Sequence, residues 1–381
     1  MDFRNYEKRL SAIRRDLHRI PEIGFDLYRT HDYVKRALEE MGYETRVTAR
    51  TGLIAKKAGK SRNAIAFRSD MDALSVTERT KVSFASEHEG KMHACGHDGH
   101  MAILLSFAHY LSTKEDLEKT VVFIFQPAEE GPGGAKVIIE EGMLAAYHVR
   151  KIFGFHVSPD LPEGIIGIKD GAMMARNGEF TITIHGTSAH AAKPHEGKDA
   201  ILVASSLISA YQSIVSRKLD PLSTAVLTVG TICAGEARNI IAREAIMTGT
   251  IRAFDDAIYQ AIKERIGAIN CAHEIAHDVK IRTEILDYYP PVVNDHELYR
   301  TVSELLSDSE RYILKPMMYA EDFAFYQREV PGLFMMIGTR NEELGFVHPL
   351  HSGHFNFRAE TLTKALSIYD RICRAEGVYR S

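Results

Sequence analysis

The stretch Val121-Val122-Phe123-Ile124-Phe125-Gln126-Pro127-Ala128-Glu129-Glu130-Gly131 decides the architecture. It opens with an unbroken apolar run of β-branched and aromatic residues, flanked by polar ones. That is the composition of a strand buried in a mixed or parallel sheet, which needs helices to cover it. Directly after the run come two adjacent carboxylates. In open α/β sheets the ends of such strands face ligand crevices. Paired acids there are costly unless a cation compensates them. A metal ion would neutralise one and leave the other for proton transfer; a solvated acidic turn is the plainer alternative.

Outward from this strand, strands and helices alternate. Leu10, Ile13 and Leu17, then Tyr33, Val34, Leu38 and Met41, recur at helical spacing, interrupted at Pro21 and Gly24. Asn63 to Arg68 reads as a strand leading into Ser69-Asp70-Met71-Asp72, and helical periodicity follows His100. Lys151 to Val157 reads as another strand, Leu298–Leu306 as a helix and Leu333–Ile337 as a strand. The pattern predicts an α/β sandwich.

Near Asn177 the texture changes. Phe180–Ile184 alternates as a half-buried strand does. A helix over Asp199–Val215, strands at Ala225–Val229 and Ala245–Ile251, a helix near Ala257–Ala276 and a strand at Val279–Glu284 follow. The order β-α-β-β-α-β is that of a ferredoxin-like sandwich, and Pro290-Pro291 marks its exit. The expected division is therefore a large α/β sandwich domain, residues 1–176 and 289–381, with an inserted ferredoxin-like domain over 177–288. A length of 381 residues agrees with two cores.

Bulk properties narrow the function. A net charge of -4 gives no electrostatic case for nucleic acid or an anionic membrane surface. No apolar run reaches the ~18 residues that span a bilayer. Met1 to Arg15 is polar, without an apolar signal core, so a cytoplasmic protein is expected. Cys95, Cys233, Cys271 and Cys373 are widely spaced and are expected as thiols.

The densest chemical signal is His93-Ala94-Cys95-Gly96-His97-Asp98-Gly99-His100. Thiolate and imidazole are the usual ligands of zinc-like ions. Cys95 and His97, two apart, would point the same way on an extended segment; a helix-capping loop with incidental histidines is the alternative. His156 ends a strand-like run, where a lone histidine is more often a satisfied core residue than a ligand. His348-Pro349-Leu350-His351-Ser352-Gly353-His354 is rich in histidine, but the ligand position within the cluster is ambiguous.

These segments together resemble the dinuclear metal amidohydrolases that include aminoacylases, hippurate hydrolases, auxin-conjugate hydrolases and N-acetyl-diaminopimelate deacetylases. The matches run from Arg15-Asp16-Leu17-His18 and Pro21-Glu22-Ile23-Gly24 through Arg68 to Leu74, His93 to His100 and Gln126 to Gly134. They continue at Ala189-His190-Ala191, Pro194-His195, Asn239-Ile240-Ile241, Gly249 to Arg252, Glu321-Asp322-Phe323 and Leu350-His351. The resemblance implies a metal-dependent hydrolase of the amide bond in N-acyl amino acids. Cys95 would bridge two divalent ions (Zn, Mn, Co or Ni), with His97 and Glu130 completing one site and His156 and His351 the other. Two cations polarise the carbonyl and acidify a shared water, whose proton Glu129 takes as general base. His190 would stabilise the oxyanion across a dimer interface, and Asp70 and Asp72 would support the site. The inserted domain would serve as lid and dimerisation unit of a homodimer, since its free sheet edge invites pairing and its chain crossings allow hinging. Arg252, Asn239 and Arg238 are candidates for the substrate carboxylate, which a guanidinium matches bidentately.

Two departures stand out. Ser188 and Ala189 replace a glycine pair usual before the lid histidine, and Gly353 replaces a proline, which would loosen that loop or let His354 compete with His351. Competing functions are a dipeptidase or carboxypeptidase of the same family, a cysteine hydrolase with Cys95 as nucleophile, and a non-catalytic protein that binds acyl amino acids. Gly131 to Lys136 resembles the N-acetyl-diaminopimelate deacetylases.

Overall fold

A computed structural model describes residues 3–379. The chain divides into two compact units, residues 1–171 with 293–315 and 322–381, and residues 172–292 with 316–321.

The first unit is built on an eight-stranded sheet. Its strands are β1 (Thr45–Thr48), β2 (Gly52–Lys57), β3 (Ser61–Asp70), β4 (Lys119–Gln126), β5 (Val149–Pro162), β6 (Ile166–Ile168), β13 (Arg311–Ile313) and β14 (Gly332–Arg340), in the order β1-β2-β4-β3-β5-β14-β6-β13. Between β6 and β13 in the chain come β7 (Gly171–Met174), four strands of the second unit, and β12 (Val292–Asn294). β3 pairs in parallel with β4 and β5, and β14 in parallel with β5. Four strands therefore end on the same side. The apolar run in β4 is buried throughout because both faces are covered. Val121, Phe123 and Phe125 join the main core with Phe67, Phe107 and Tyr369, whereas Val122 and Ile124 are buried outside that cluster.

The helices of this unit are α1 (Glu7–His18), α2 (Tyr28–Glu40), α3 (His97–Ser112), α4 (Gly134–Glu140), α5 (Met143–Ala146), α8 (His296–Leu305), α9 (Phe323–Glu329) and α10 (Thr363–Ala375). α3 lies against β3, β4 and β5, with α1, α2 and α10 packed on it. It is buried on nearly every side: its middle, Met101 to Leu105, is apolar, and its first turn buries His97, Asp98 and His100.

The second unit holds β8 (Arg176–His185), α6 (Ala200–Arg217), β9 (Ala225–Ala234), β10 (Glu244–Ala253), α7 (Asp256–His277) and β11 (Lys280–Asp287). Its sheet runs β11-β8-β10-β9, all antiparallel, which is the ferredoxin-like arrangement. Phe180, Ile182, Leu207, Tyr211, Met247 and Ile262 pack between sheet and helices. α6 has a length of 18 residues and a mean hydropathy of 1.2 that would suit a membrane crossing. Here Val203, Leu207, Tyr211 and Ile214 on one of its faces serve that core. Asp199 and Asp255 cap α6 and α7 by accepting from the first-turn amides.

The units divide at 171/172 and 292/293 rather than at 176/177 and 288/289, and 316–321 return to the second unit. The cause is local. Ala175 N donates to Met317 O and Tyr319 O at 3.2 and 2.9 Å, and Met317 N to Met173 O at 2.9 Å. Short strands without strong periodicity carry no sequence signal for such pairing.

Candidate metal centre

The candidate residues gather where the parallel strands end. β3 delivers Asp70 and, just beyond it, Asp72; β4 is followed by Glu129 and Glu130; β5 carries His156. Cys95 and His97 enter from the start of α3. They do not lie on an extended segment: Gly96 is left-handed, at φ 86°, and caps the helix that begins at His97. A Cβ on Gly96 would meet Val157 Cγ2 at 2.5 Å, so this turn needs glycine for conformation and for space. Asp98 then accepts from His18 Nδ1 at 2.7 Å and from Arg14 Nε at 3.2 Å, tying α1 to the helix start.

Cys95 sits at the junction of two groups whose ligand atoms lie within 4.8 Å of one another, one with His97 and His156, the other with Glu130 and His351. His97 also groups with Glu129 and Glu130. Around Cys95, His97 thus lies near both His156 and Glu130, and Glu130 also lies near His351. Cys95 Sγ is 3.3 Å from His156 Nε2, and Glu130 Oε1 is 3.2 Å from His351 Nε2. His354 belongs to none of these groups; its ring lies 5.1 Å from that of His348. His351 is fixed by its N–H donating to Ala94 O at 2.9 Å. Gly353 does not loosen this loop: a Cβ there would meet Thr77 O at 2.4 Å, and its carbonyl accepts from Arg79 N at 2.7 Å.

The two glutamates are held apart by one carboxylate. Asp72 Oδ1 accepts from Glu129 N at 2.9 Å and Oδ2 from Glu130 N at 3.0 Å, while Ala128 turns through a positive φ of 57°. Glu129 thereby faces His97, 3.9 Å away.

Charge at the site is unbalanced. Burial and then Glu130 and Glu129 push the Cys95 thiol well above its usual range. That is the wrong direction for a free thiolate nucleophile. Burial opposes ionisation of Asp70, yet His100, His97 and Arg68 outweigh it and hold the carboxylate well below its usual range. Burial also opposes a charge on His97, but Asp70 and Asp72 overcome it and hold the imidazole up to about 10. Burial and His100 push His156 down to about 3, which leaves a neutral ring. His97 tests whether a cation fits. Both its ring nitrogens are buried without hydrogen-bond partners, and each lies 3.6 Å from an aspartate. Such atoms cost free energy unless another partner is present, and thiol, imidazole and carboxylate together are the donors of zinc-like ions.

In the second unit His190 is exposed, and its Nδ1 accepts from Ala192 N at 3.1 Å, which leaves Nε2–H as a donor. An antiparallel bridge from His190 to Ile240 places Asn239 beside it. Ser188 and Ala189, in place of glycines, do not have positive φ. Arg252 is half-buried, its guanidinium pushed down by burial, with a long bond of 3.4 Å to Met318 O. Arg68, His100, Gln126 and Asp322 lie inside the matched segments but had no role assigned from the sequence. Arg68 binds Asp70, Gln126 and Asp322 at 2.8–2.9 Å, all of them buried. A charged residue inside an apolar strand was the available signal.

Buried thiol, imidazole and carboxylate groups at the strand ends of an α/β sandwich define a metal-dependent hydrolase. The model of peptidase family M20/M25/M40 matches residues 66–375, and the chain belongs to that family. It is 39% identical over 373 residues to an N-acetyldiaminopimelate deacetylase of Bacillus velezensis, covering 95% of this chain and 97% of that one. It is 38% identical over 364 residues to an N-acetyl-L-cysteine deacetylase of Bacillus subtilis strain 168, covering 94% and 86%. The crystal structure of a dinuclear metal-binding peptidase of the M20 family from Bacillus subtilis superposes with a TM-score of 0.84 at 34% identity, over 98% and 99% of the chains. The chain is an amidohydrolase.

Proposed function

We propose that the protein releases the acyl group from small N-acyl amino acids, N-acetyldiaminopimelate first among them, at a two-ion centre held by Cys95, His97, Glu130, His156 and His351. The observation that carries this reading is the turn clamped by Asp72, which sends Glu130 toward Cys95 and His351 and leaves Glu129 beside His97. Bound there, two divalent ions would supply the charge that polarises the amide carbonyl and acidifies the attacking water. Glu129 accepts the proton of that water and returns it to the leaving amine nitrogen. Cys95 favours Zn, Co or Ni as the ion, and the carboxylates admit Mn.

The second unit acts in this reading as lid and dimerisation unit of a homodimer. β9 is a free sheet edge, with Ile232 50% exposed on it and Ile201 and Leu202 46% and 57% exposed on α6, an apolar surface that a second copy would cover. His190, with its proton at Nε2, serves the partner's site as oxyanion donor. Arg252 and Asn239 hold the substrate carboxylate. The exposed, unpaired Cys233 and Cys271 suit the reducing cytoplasm.

The test is amine release from N-acetyldiaminopimelate, N-acetyl-L-cysteine, N-benzoyl amino acids and dipeptides, each with Zn, Mn, Co or Ni. N-acetyl substrates should lead, and a chelator should abolish turnover. Cleavage of dipeptides alone would move the assignment to a dipeptidase.

A further inference from the structure

Val157 follows His156 at a point where β5 has lost a neighbour. β3 and β5 are paired only as far as Arg68 and Gly154. Beyond that the Val157 N–H has no strand partner on this edge, and a buried amide left so would be costly. It donates instead to Nε2 of His100, at 2.9 Å. Because Nε2 accepts, the ring proton of His100 sits on Nδ1, 2.7 Å from Asp70 Oδ1. The second oxygen of Asp70 is held by Arg68 at 2.9 Å, and Arg68 by Asp322 at 2.8 Å. The Val157 carbonyl is engaged as well, by Nδ1 of His156 at 2.7 Å. That bond puts the His156 proton on Nδ1 and leaves Nε2 facing Cys95. The rings of His100 and His156 are 4.7 Å apart, and every side chain in the series is buried.

We propose that His100 is a positioning residue for the metal centre. It fills the gap between β3 and β5, fixes the Val157 peptide, and through that peptide sets the ring orientation and tautomer of His156. Asp70 and Arg68 are its anchor. The inference rests on His156 being a metal ligand, as proposed above.

The experiment strips the full-length protein with a chelator and titrates it with Co(II), reading the thiolate-to-cobalt and d–d absorption bands without substrate. Two variants separate positioning from simple packing. His100→Asn keeps a donor for Asp70 but cannot reach Val157 N–H. His100→Gln carries an acceptor far enough to reach it and an amide for Asp70. Loss of an outer partner of a metal ligand typically weakens metal affinity roughly 10–100-fold. That loss, with shifted d–d bands, is expected for His100→Asn, with recovery of most affinity and of the native spectrum in His100→Gln. Metal-free melting temperatures of both variants are measured alongside. If both melt lower but bind Co(II) with the native affinity and spectrum, or if His100→Gln recovers nothing, the positioning role is overturned. Wild-type protein that takes up no Co(II) would overturn the metal-centre reading itself, and this inference with it, before any variant is compared.

Discussion

The two units differ in what they bury. In the second unit the buried polar side chains among the described residues are Asn270, satisfied by Tyr211 and Thr283, and Glu321 at the end of the returning segment. The other unit buries Arg14, His18, Arg68, Asp70, Asp72, His97, Asp98, His100, Glu129, His156 and Asp322. Burying a charge is tolerable only where partners compensate it. The first unit has therefore committed its folding and its chemistry to the same side chains. The ferredoxin-like unit folds on an apolar core and carries its candidate groups, His190 and Asn239, on its surface. Substitution of the metal-binding side chains in the first unit should disturb metal and fold together; at the exposed groups of the other it should disturb turnover alone.

Glu129→Gln should show the largest effect. It preserves shape and the Asp72 clamp, which uses backbone amides, and removes the proton acceptor, so turnover should fall roughly 10²–10⁴-fold with metal content unchanged. Glu130→Gln should instead lower metal content. Exchanged phenotypes would reverse the assignment of base and ligand.

His190→Ala should reduce turnover by about 10²-fold or more while metal content and melting temperature stay at wild-type values. Mixing His190→Ala with Glu129→Gln should restore part of the activity after subunit exchange, because one site of each mixed dimer then has both groups. Proven exchange without recovery would place His190 outside the partner's site.

Glu310→Gln should have the smallest effect and would show that not all charge in the first unit is chemistry. Arg371 holds this carboxylate through two bonds of 3.0 Å, with Lys364 beside it, and these contacts outweigh burial and keep its pKa well below the usual range. Its loss should cost about 1–2 kcal/mol at pH 7 with turnover unchanged. A depressed carboxylate stabilises the fold above the unfolded pKa of about 4.3, and the contribution disappears as pH falls toward the folded value. The gap in stability between wild type and variant, read by denaturant melts, should therefore close below about pH 4. A gap constant down to pH 3 would exclude the ion pair as its source.

Much of this organisation was legible in residue order. Val121–Phe125 was readable because both faces of β4 are covered, and the inserted unit because its strands and helices keep their periods. The strands at Thr45–Lys57 were not, since they are short and mix charged with apolar residues. α10 went unread although Ala365, Leu366, Tyr369 and Ile372 recur at helical spacing. At the site, Cys95, His97, Glu129 and Glu130 stood out through residue type and placement, whereas His156 was singled out only by the resemblance to the family. His351 was read from the resemblance to the family; its bond to Ala94 and the lack of space for a side chain at Gly353 beside Thr77, both distant in sequence, were not legible. His100 and Asp322 act through contacts that no local pattern encodes.

The position of β14 has a consequence for synthesis. It lies between β5 and β6, near the middle of the sheet, yet about 170 residues separate the end of β5 from its start. At ribosomal rates of ~5–20 residues per second, that interval lasts roughly 10–30 s. Throughout it the emerging chain carries Cys95, His97, Glu130 and His156 but neither the strand that closes the sheet nor His351. The ferredoxin-like unit, whose contacts are all nearer in sequence, can complete itself meanwhile. Assembly of the ion-binding residues is thereby deferred until β14 and His351 have been made, and a translation product that stops before them cannot form the complete centre.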